Sequence, residues 1–443
     1  MDIGQLLSLG SFSKPLVRKP TSVAVDTRLL QPGAIFFALP GEKVDGHAFL
    51  EEAWAKGAVG AVINQDFTGS IPLSMPVMRV KNQLATLQKF GQLTVAANGA
   101  KVFALTGSIG KTTTKDFANT IVSIRHKVEA TQSSHNSQIG LALTLINGLK
   151  GGEEWIIAEM GMTHAGDLKT LTAIAPPDIA LVTHVCLVHS ENFSSLEDIA
   201  KTKAEIFAGA KTCIYNADTA HAEVLAKIAG TRGKTFSMHD KNAFWSMCVQ
   251  KDALIVREEE REVILPKPEF PAPHVYGNLL AAIAASRSMG VSWDDVCDAI
   301  PQLRLSERRL EQKSCRGILF INDSISACEP SMMAALDVLK ETPGARKIAV
   351  LGAMKELGVF TEQCHKNVWN KACEVADSIY SLGQEWNCLI DVKKNKKNKY
   401  VLTSSLDELI AVLEKDLKEG DTVLLKGSRW ANQLWKVVDH FSG

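Results

Sequence analysis

The sequence predicts an α/β protein of three domains built on parallel sheets, and three observations carry that prediction. The chain has 443 residues, which at roughly 150 residues per domain suggests about three. From about Val102 onward, short apolar runs alternate with helix-period segments, the pattern of strands joined by crossover helices. A glycine-bearing turn, Gly107-Ser108-Ile109-Gly110-Lys111-Thr112-Thr113, stands between the first such run and the first helix, the context that makes a phosphate-binding loop believable.

In the first hundred residues Pro and Gly punctuate the chain (Gln31-Pro32-Gly33, Leu39-Pro40-Gly41) and the alternation is less regular, which predicts a separate small α/β domain. Val102-Phe103-Ala104-Leu105 reads as a strand. In the helix that follows, Phe117, Ile121 and Ile124 fall at i, i+4 and i+7 and predict one buried stripe. Trp155-Ile156-Ile157-Ala158, Ile179-Ala180-Leu181-Val182 and Cys213-Ile214-Tyr215 read as three more strands. Residues 236–273 read as irregular, and 279–288 as an apolar helix. A later set of strands, Ile318-Leu319-Phe320-Ile321, Ile348-Ala349-Val350-Leu351 and Val423-Leu424-Leu425, follows a domain boundary expected near 305–310. No internal repeat appears. Lys393, Lys394, Lys396, Lys397 and Lys399 read as a solvated loop, with phosphate or membrane contact as the alternative.

Composition narrows the function. Forty-nine Lys+Arg against forty-nine Asp+Glu give zero formal charge, which argues against a broad electrostatic binder of nucleic acid or anionic membrane. Hydrophobic residues at 46% and charged residues at 22% suit a soluble globular chain and exclude disorder. The longest apolar run, residues 279–285, is far short of the ~20 residues that span a bilayer. No basic-then-apolar leader opens the chain. Nine Cys without a C-x-x-C pair indicate neither a disulfide framework nor a zinc ribbon, and Cys364-His365 alone lacks metal-ligand spacing. The expectation is a cytoplasmic protein without membrane insertion.

The glycine-bearing turn is the sharpest chemical signal. Its backbone N–H groups and the helix N-terminus would cradle phosphates, Lys111 would neutralise β- and γ-phosphate charge, and the Thr112 hydroxyl would be a Mg²⁺ ligand. Its spacing is unusual, since the first glycine position of the common P-loop holds Leu105. Glu159 ends a strand beside this loop, where a carboxylate suits a Mg²⁺ ligand; an N-cap or surface role is the alternative. His189 reads equally as a ligand or a structural histidine, and Lys203 by composition alone reads as the exposed side of a helix.

Taken together, residues 106–114, Glu159, His189 and the Lys201/Lys203 pair resemble the Mur ligase family of ATP-dependent amide-forming enzymes. The likeness runs through the whole chain. Val25-Asp26-Thr27-Arg28, Gln31-Pro32-Gly33, Phe36-Phe37-Ala38-Leu39-Pro40-Gly41 and Asp45-Gly46-His47-Ala48-Phe49 resemble the N-terminal UDP-sugar-binding domain of the peptide-extending members. Ile321-Asn322-Asp323-Ser324, Pro330-Ser331-Met332, Val350 to Gly358 and Leu425-Lys426-Gly427-Ser428-Arg429 resemble the C-terminal domain of the members that attach D-alanyl-D-alanine.

The resemblance implies a small UDP-binding α/β domain over 1–98, a central P-loop ATPase-like parallel-sheet domain over 99–307, and a C-terminal Rossmann-like ligase domain over 308–443. It implies ATP, two Mg²⁺ sites and a carbamylated lysine as cofactors, with UDP-N-acetylmuramoyl-tripeptide and D-alanyl-D-alanine as substrates, in a monomer. Gly107, Ser108, Gly110, Lys111, Thr112, Thr113, Asn136, Asn278, Arg309 and Asp323 would bind nucleotide, with Asn278 at the adenine. Asp26, Thr27 and Arg28 would sit at the UDP site, and Lys426, Ser428 and Arg429 at the substrates. Lys203, carbamylated, and His189 would hold the second metal, Glu159 and Thr112 the first, and Lys111, Lys203 and His189 would be the catalytic groups.

The chain departs from the family pattern in three places. Asp-x-Tyr-Asn-Ala-Asn-Pro is replaced by Asp323-Ser324-Ile325-Ser326-Ala327-Cys328-Glu329; Gly-Asn-x-Asn-Asn becomes Ser133-Ser134-His135-Asn136-Ser137; and Ala353 stands for an Asp. Alternatives are a sister ligase adding a single amino acid (diaminopimelate or lysine), a folylpolyglutamate-synthase-like ligase, and a non-enzymatic P-loop module. The Asp-Asn-Pro-Arg signature of the first is absent, and the 26–28 region is not expected of the second.

Overall fold

The computed structural model describes residues 2–41, 44–132, 135–188, 190–389 and 399–443. Ser133, Ser134, His189, Lys393, Lys394, Lys396 and Lys397 lie outside the described residues. Packing divides the chain into two compact units, one of Met1–Thr106, Val122–Leu181 and Glu205–Cys213, the other of Gly107–Ile121, Val182–Ala204 and Ile214–Gly443.

The first unit opens with a four-stranded sheet in the order β1 (Ser22–Ala24), β2 (Ala34–Phe37), β3 (Gly60–Asn64), β4 (Val77–Val80), parallel throughout. A parallel sheet is covered on both faces, and β2 shows how. Ile35 and Phe37 point into a core with Val62, Leu87 and Phe90, while Ala34 and Phe36 point into another with Leu50, Ala53 and Ile63. The helix Gln83–Asn98 begins at Asn82, whose side chain accepts from the Ala85 N–H and so satisfies one orphan donor. A second helix, Gln138–Gly148, adds Ala142 and Ile146 to the first core. Its Asn147 also binds the edge strand. The Val23 N–H donates to Asn147 Oδ1 at 2.8 Å, and Asn147 Nδ2 donates to the Val23 carbonyl at 2.9 Å.

The second sheet holds β5 (Lys101–Thr106), β6 (Val128–Ala130), β7 (Trp155–Glu159), β8 (Ile179–Val182), β9 (Thr212–Asn216), β10 (Gly233–Ser237), β11 (Trp245–Val249), β12 (Ala253–Glu258) and β13 (Arg261–Pro266). Their order is β13-β12-β11-β10-β9-β8-β5-β7-β6. The four strands expected between 102 and 215 are β5, β7, β8 and β9. Ile124 of the expected stripe lies beyond the helix, which runs Lys111–Val122, while Phe117 and Ile121 are fully buried. The stretch expected to be irregular, 236–273, is instead the antiparallel ladder β11-β12-β13. Its tight turn pairs Glu258 with Arg261 and sets Glu259 at φ 53°, a left-handed position usually taken by Gly or Asn, so the turn carries no sequence flag. The apolar helix begins earlier than expected, Pro273–Ser288, with Pro at its first turn.

The third sheet holds β14 (Glu311–Cys315), β15 (Ile318–Asp323), β16 (Lys347–Gly352), β17 (Ser378–Leu382), β18 (Lys399–Thr403) and β19 (Thr422–Lys426), in the order β14-β15-β19-β16-β17-β18. Only β14 runs antiparallel. Phe320, Val350, Tyr380, Val423 and Leu425 form its core with Leu409, Leu413 and Val437. Burying side chains of this size stabilises by about 1.5–3 kcal/mol each. Among the described residues no helix is long and apolar enough to cross a membrane.

Candidate active site

The turn after β5 is shaped by its glycines. Gly107 has φ 156° and a Cβ there would lie 1.8 Å from Thr183 Oγ1; Gly110 has φ 81° and a Cβ there would lie 2.3 Å from Asn278 Oδ1. Any side chain would collide at either place. The loop is also tied from behind. The Ser108 N–H donates to the His184 carbonyl at 2.7 Å, and Thr183 Oγ1 donates to the Ile109 carbonyl at 2.6 Å. Ser108 Oγ donates to the Cys186 carbonyl at 2.9 Å and accepts from the Cys186 N–H at 3.0 Å. A loop fixed this way holds its course without reorganisation, and the amides other than Ser108 N–H are the ones a polyphosphate could use.

Lys111 and Thr112 open the helix Lys111–Val122. Lys111 Nζ donates to the Gly107 carbonyl at 2.8 Å, so the ammonium lies back over the loop. Thr112 is half-buried and Thr113 buried. Asn278 faces Gly110 from the helix Pro273–Ser288.

Lys203 ends the helix Leu196–Lys203 and is 2% exposed. The exposed position that composition suggested is corrected by the helical period: Lys203 is four residues after Ile199 and three after Ala200, both fully buried, and shares their face. Lys201 points the other way and pairs with Glu197 at 2.9 Å. Burial pushes the Lys203 amine down to about 7, the Lys111 charge pushes the same way, and Cys186 opposes them weakly. A lysine in this state is neutral in a large fraction of molecules at physiological pH, where an ordinary lysine is almost wholly protonated.

Glu159, in the first unit, ends β7 and is buried, not a surface or N-cap carboxylate. Its N–H donates to Thr131 Oγ1 at 2.9 Å, and Asn136 Nδ2 donates to its Oε1 at 2.9 Å. Its Oε2 is buried with no hydrogen-bond partner among the described residues. An orphaned buried carboxylate oxygen is costly and fits a cation ligand. The single Asn retained from the altered 133–137 run is thus the residue that orients this carboxylate. His189 lies outside the described residues, and among those described no three His, Cys, Asp or Glu side chains gather as a metal cluster.

Asp323, at the end of β15, forms an ion pair with Lys426 at 2.9 Å, and Lys426 Nζ also donates to the Ser326 carbonyl at 2.7 Å. Lys426, expected at the substrates, is therefore bound to Asp323, expected at the nucleotide. The Ser428 N–H donates to Asn432 Oδ1 at 2.8 Å, and Ser428 Oγ donates to the Ala353 carbonyl at 3.2 Å. Arg429 starts the short helix Arg429–Asn432. Arg309 sits between Arg308 and Leu310, whose φ values are 59° and 53°, an uncommon conformation for any residue but glycine. In the N-terminal sheet unit, Arg28 pairs with Asp26 at 2.5 Å and is otherwise exposed, a bond that holds the Asp26 carboxyl below its ordinary value; Thr27 is buried.

Sequence reading missed Thr183, Asn432 and His274. Burial lowers the His274 pKa, Asp323 opposes that and Lys426 adds to it, which favours the neutral imidazole. Its signal was its place one helical turn before Asn278.

A glycine-shaped turn between a parallel strand and a helix, with a buried lysine in the same unit, has the form of a nucleotide-phosphate site. Three family models match: Mur ligase family, catalytic domain, over 19–84; Mur ligase middle domain over 105–286; and Mur ligase, glutamate ligase domain, over 308–429. The chain belongs to the Mur ligase family. Within it, the chain is 32% identical over 429 residues to the UDP-N-acetylmuramoyl-tripeptide–D-alanyl-D-alanine ligase of Escherichia coli (strain K12), covering 93% of this chain and 91% of that one. Its fold matches MurF from Acinetobacter baumannii with TM-score 0.87 at 23% identity, over 99% and 98% of the two chains. It also matches the MurF ligase from Thermotoga maritima in complex with ADP, with TM-score 0.80 at 25% identity over 95% and 96%.

Proposed function

We propose that this chain is a cytoplasmic ATP-dependent ligase that joins D-alanyl-D-alanine to the terminal carboxylate of UDP-N-acetylmuramoyl-tripeptide, giving the pentapeptide precursor, ADP and phosphate. The observation that carries the reading is the Gly107–Thr113 loop with its two collision-limited glycines, set beside the buried Lys203. The whole-length likeness to ligases of that substrate supports the choice of acceptor. We assign 1–98 to UDP-sugar binding, 99–307 to ATP and 308–443 to the ligase domain.

A carboxylate is a poor electrophile, so it is first phosphorylated by ATP; the amine of the dipeptide then attacks the acyl phosphate, and phosphate leaves from the tetrahedral intermediate. Lys111 and the loop amides face the phosphoryl group as its charge moves from ADP to the acyl oxygen. Glu159 and Thr112 would hold one Mg²⁺, and Lys203 as its carbamate, with His189, a second; these ions supply charge neutralisation to the phosphates. Lys203 suits this role because burial lowers its amine to about 7, which raises the share of the nucleophilic free amine, and carbamylation gives it the anionic oxygens an ammonium lacks. Asn278 borders the loop where adenine would lie. Asp323, Arg309, Lys426, Ser428 and Arg429 lie on the C-terminal segments that would close over the reactants. The paired positive φ values at Arg308 and Leu310 support a hinge there.

The test is phosphate release from ATP with UDP-N-acetylmuramoyl-tripeptide, with and without D-alanyl-D-alanine. Release needing both, with a product heavier by one dipeptide, is expected. Release that responds instead to a free amino acid would move the assignment to a sister ligase, and no substrate-dependent release would refute it.

A further inference from the structure

Cys186 and Cys328 are far apart in sequence, yet their sulfurs lie 4.0 Å apart and both side chains are buried. The proposed reaction uses neither. Each is fixed by its backbone to a different working loop. The Cys186 N–H and carbonyl both bond to Ser108 Oγ in the phosphate loop. Cys328 is the N-cap of the helix Glu329–Glu341; its N–H donates to Ser331 Oγ at 3.0 Å, and it ends the segment whose Ser326 carbonyl is held by Lys426. The pair therefore bridges the phosphate loop's support and the turn that follows β15.

We propose that Cys186 and Cys328 are a redox site: a peroxide oxidises them to a disulfide that ties these two loops together and reversibly stops turnover. Closing from 4.0 Å to the roughly 2.05 Å of an S–S bond asks each sulfur to move about 1 Å, within reach of side-chain rotation. Of the two, Cys328 ionises first, because its contact with Cys186 lowers it, with Ser331 and Lys426 adding to that against burial, while Cys186 is raised. The Cys328 thiolate attacks the peroxide; an S–O bond forms, the O–O bond breaks, and hydroxide leaves as water after taking a proton. Cys186 then attacks the sulfenyl sulfur, the S–S bond forms and a second water departs with the Cys186 proton. Two thiols thus lose two electrons and two protons to one peroxide, giving one disulfide and two waters. A bridge here would oppose any change in spacing between the two loops, which the proposed closure about 308–310 requires.

The experiment uses the full chain, reduced, then treated with a small molar excess of hydrogen peroxide, alkylated, and digested without reductant. The expected result is a peptide pair linking Cys186 to Cys328, with dipeptide-dependent phosphate release falling by at least about tenfold at full linkage and returning with dithiothreitol. In Cys186→Ser the linked peptide and the dithiothreitol-reversible part of the loss should both vanish. Absence of the link in the unaltered protein, a link from Cys328 to Cys364 instead, or equal reversible inhibition in Cys186→Ser would overturn the proposal. The activity arm rests on the ligase reading and the peptide arm does not. A reduced chain inactive with both substrates would refute the ligase reading, while the peptide map alone decides the disulfide.

Discussion

The turn after β5 and the turn after β15 both lead from a parallel strand into a helix, but they tolerate change differently. The first keeps its glycines, lysine and threonines; the second, Ser324 to Glu329, carries none of the Tyr and Asn residues that the family pattern places there. In the first turn the backbone itself would be the binding surface under the proposed reading, and the space beside Gly107 and Gly110 is filled by Thr183 and Asn278, so no other residue fits. In the second, Lys426 grips Asp323 and the Ser326 carbonyl. A carbonyl belongs to every residue, so side chains there can be exchanged while the loop's course is held. Side chains should be exchangeable where a partner supplies the frame, and constrained where the main chain would do the binding.

Four experiments sharpen or break that comparison. The largest effect is expected from Lys203→Ala, which should reduce dipeptide-dependent phosphate release by about a thousandfold or more; full activity would sink the carbamate assignment. Bicarbonate should help the unaltered enzyme. Its folded amine is depressed from 10.5 to about 7, so it is neutral above that pH and protonates as the pH falls through it. Activity and bicarbonate response should therefore both fall below about pH 7.

Next comes Gly110→Ala. A methyl 2.3 Å from Asn278 Oδ1 at φ 81° should displace the loop and lower turnover by about a hundredfold, with a raised KM for ATP. Near-normal kinetics would mean that the loop's shape is not what binds phosphate. Lys426→Met should leave Asp323 without its partner and cost about 3–5 kcal/mol in urea denaturation. A loss under about 1 kcal/mol would show that the pair does not hold the second turn. The smallest effect belongs to Cys328→Asn, which restores the family letter and should change turnover by less than about tenfold. A larger gain would place that side chain on the substrates after all.

Much of the frame is legible in the sequence, because it follows from local rules. Apolar runs at β5, β7, β8, β15, β16 and β19 are long enough to mark buried strands, and Gly107 to Thr113 sits where a strand meets a helix. Lys203 reads as exposed although its period with Ile199 is present, because a charged side chain outweighs its helical face. The β11-β12-β13 ladder escapes because Glu259 occupies a left-handed turn position without Gly or Asn. β17 escapes because Ser378 and Ser381 interrupt its apolar run while being buried. The Asn136–Glu159 and Asp323–Lys426 bonds join segments far apart in the chain, and no local pattern encodes them.

Asn147 has a consequence for how the chain is made. By occupying both polar groups of Val23 it stands in for a missing strand at the edge of the N-terminal sheet, and its helix brings Ala142 and Ile146 to seal the core that contains Phe37 and Phe90. On a ribosome working at about 5–20 residues per second, that sheet emerges several seconds before the helix that finishes it. Through that interval a nascent chain would carry an open sheet edge and an uncovered apolar face. For the same reason a recombinant fragment ending near residue 98 should precipitate.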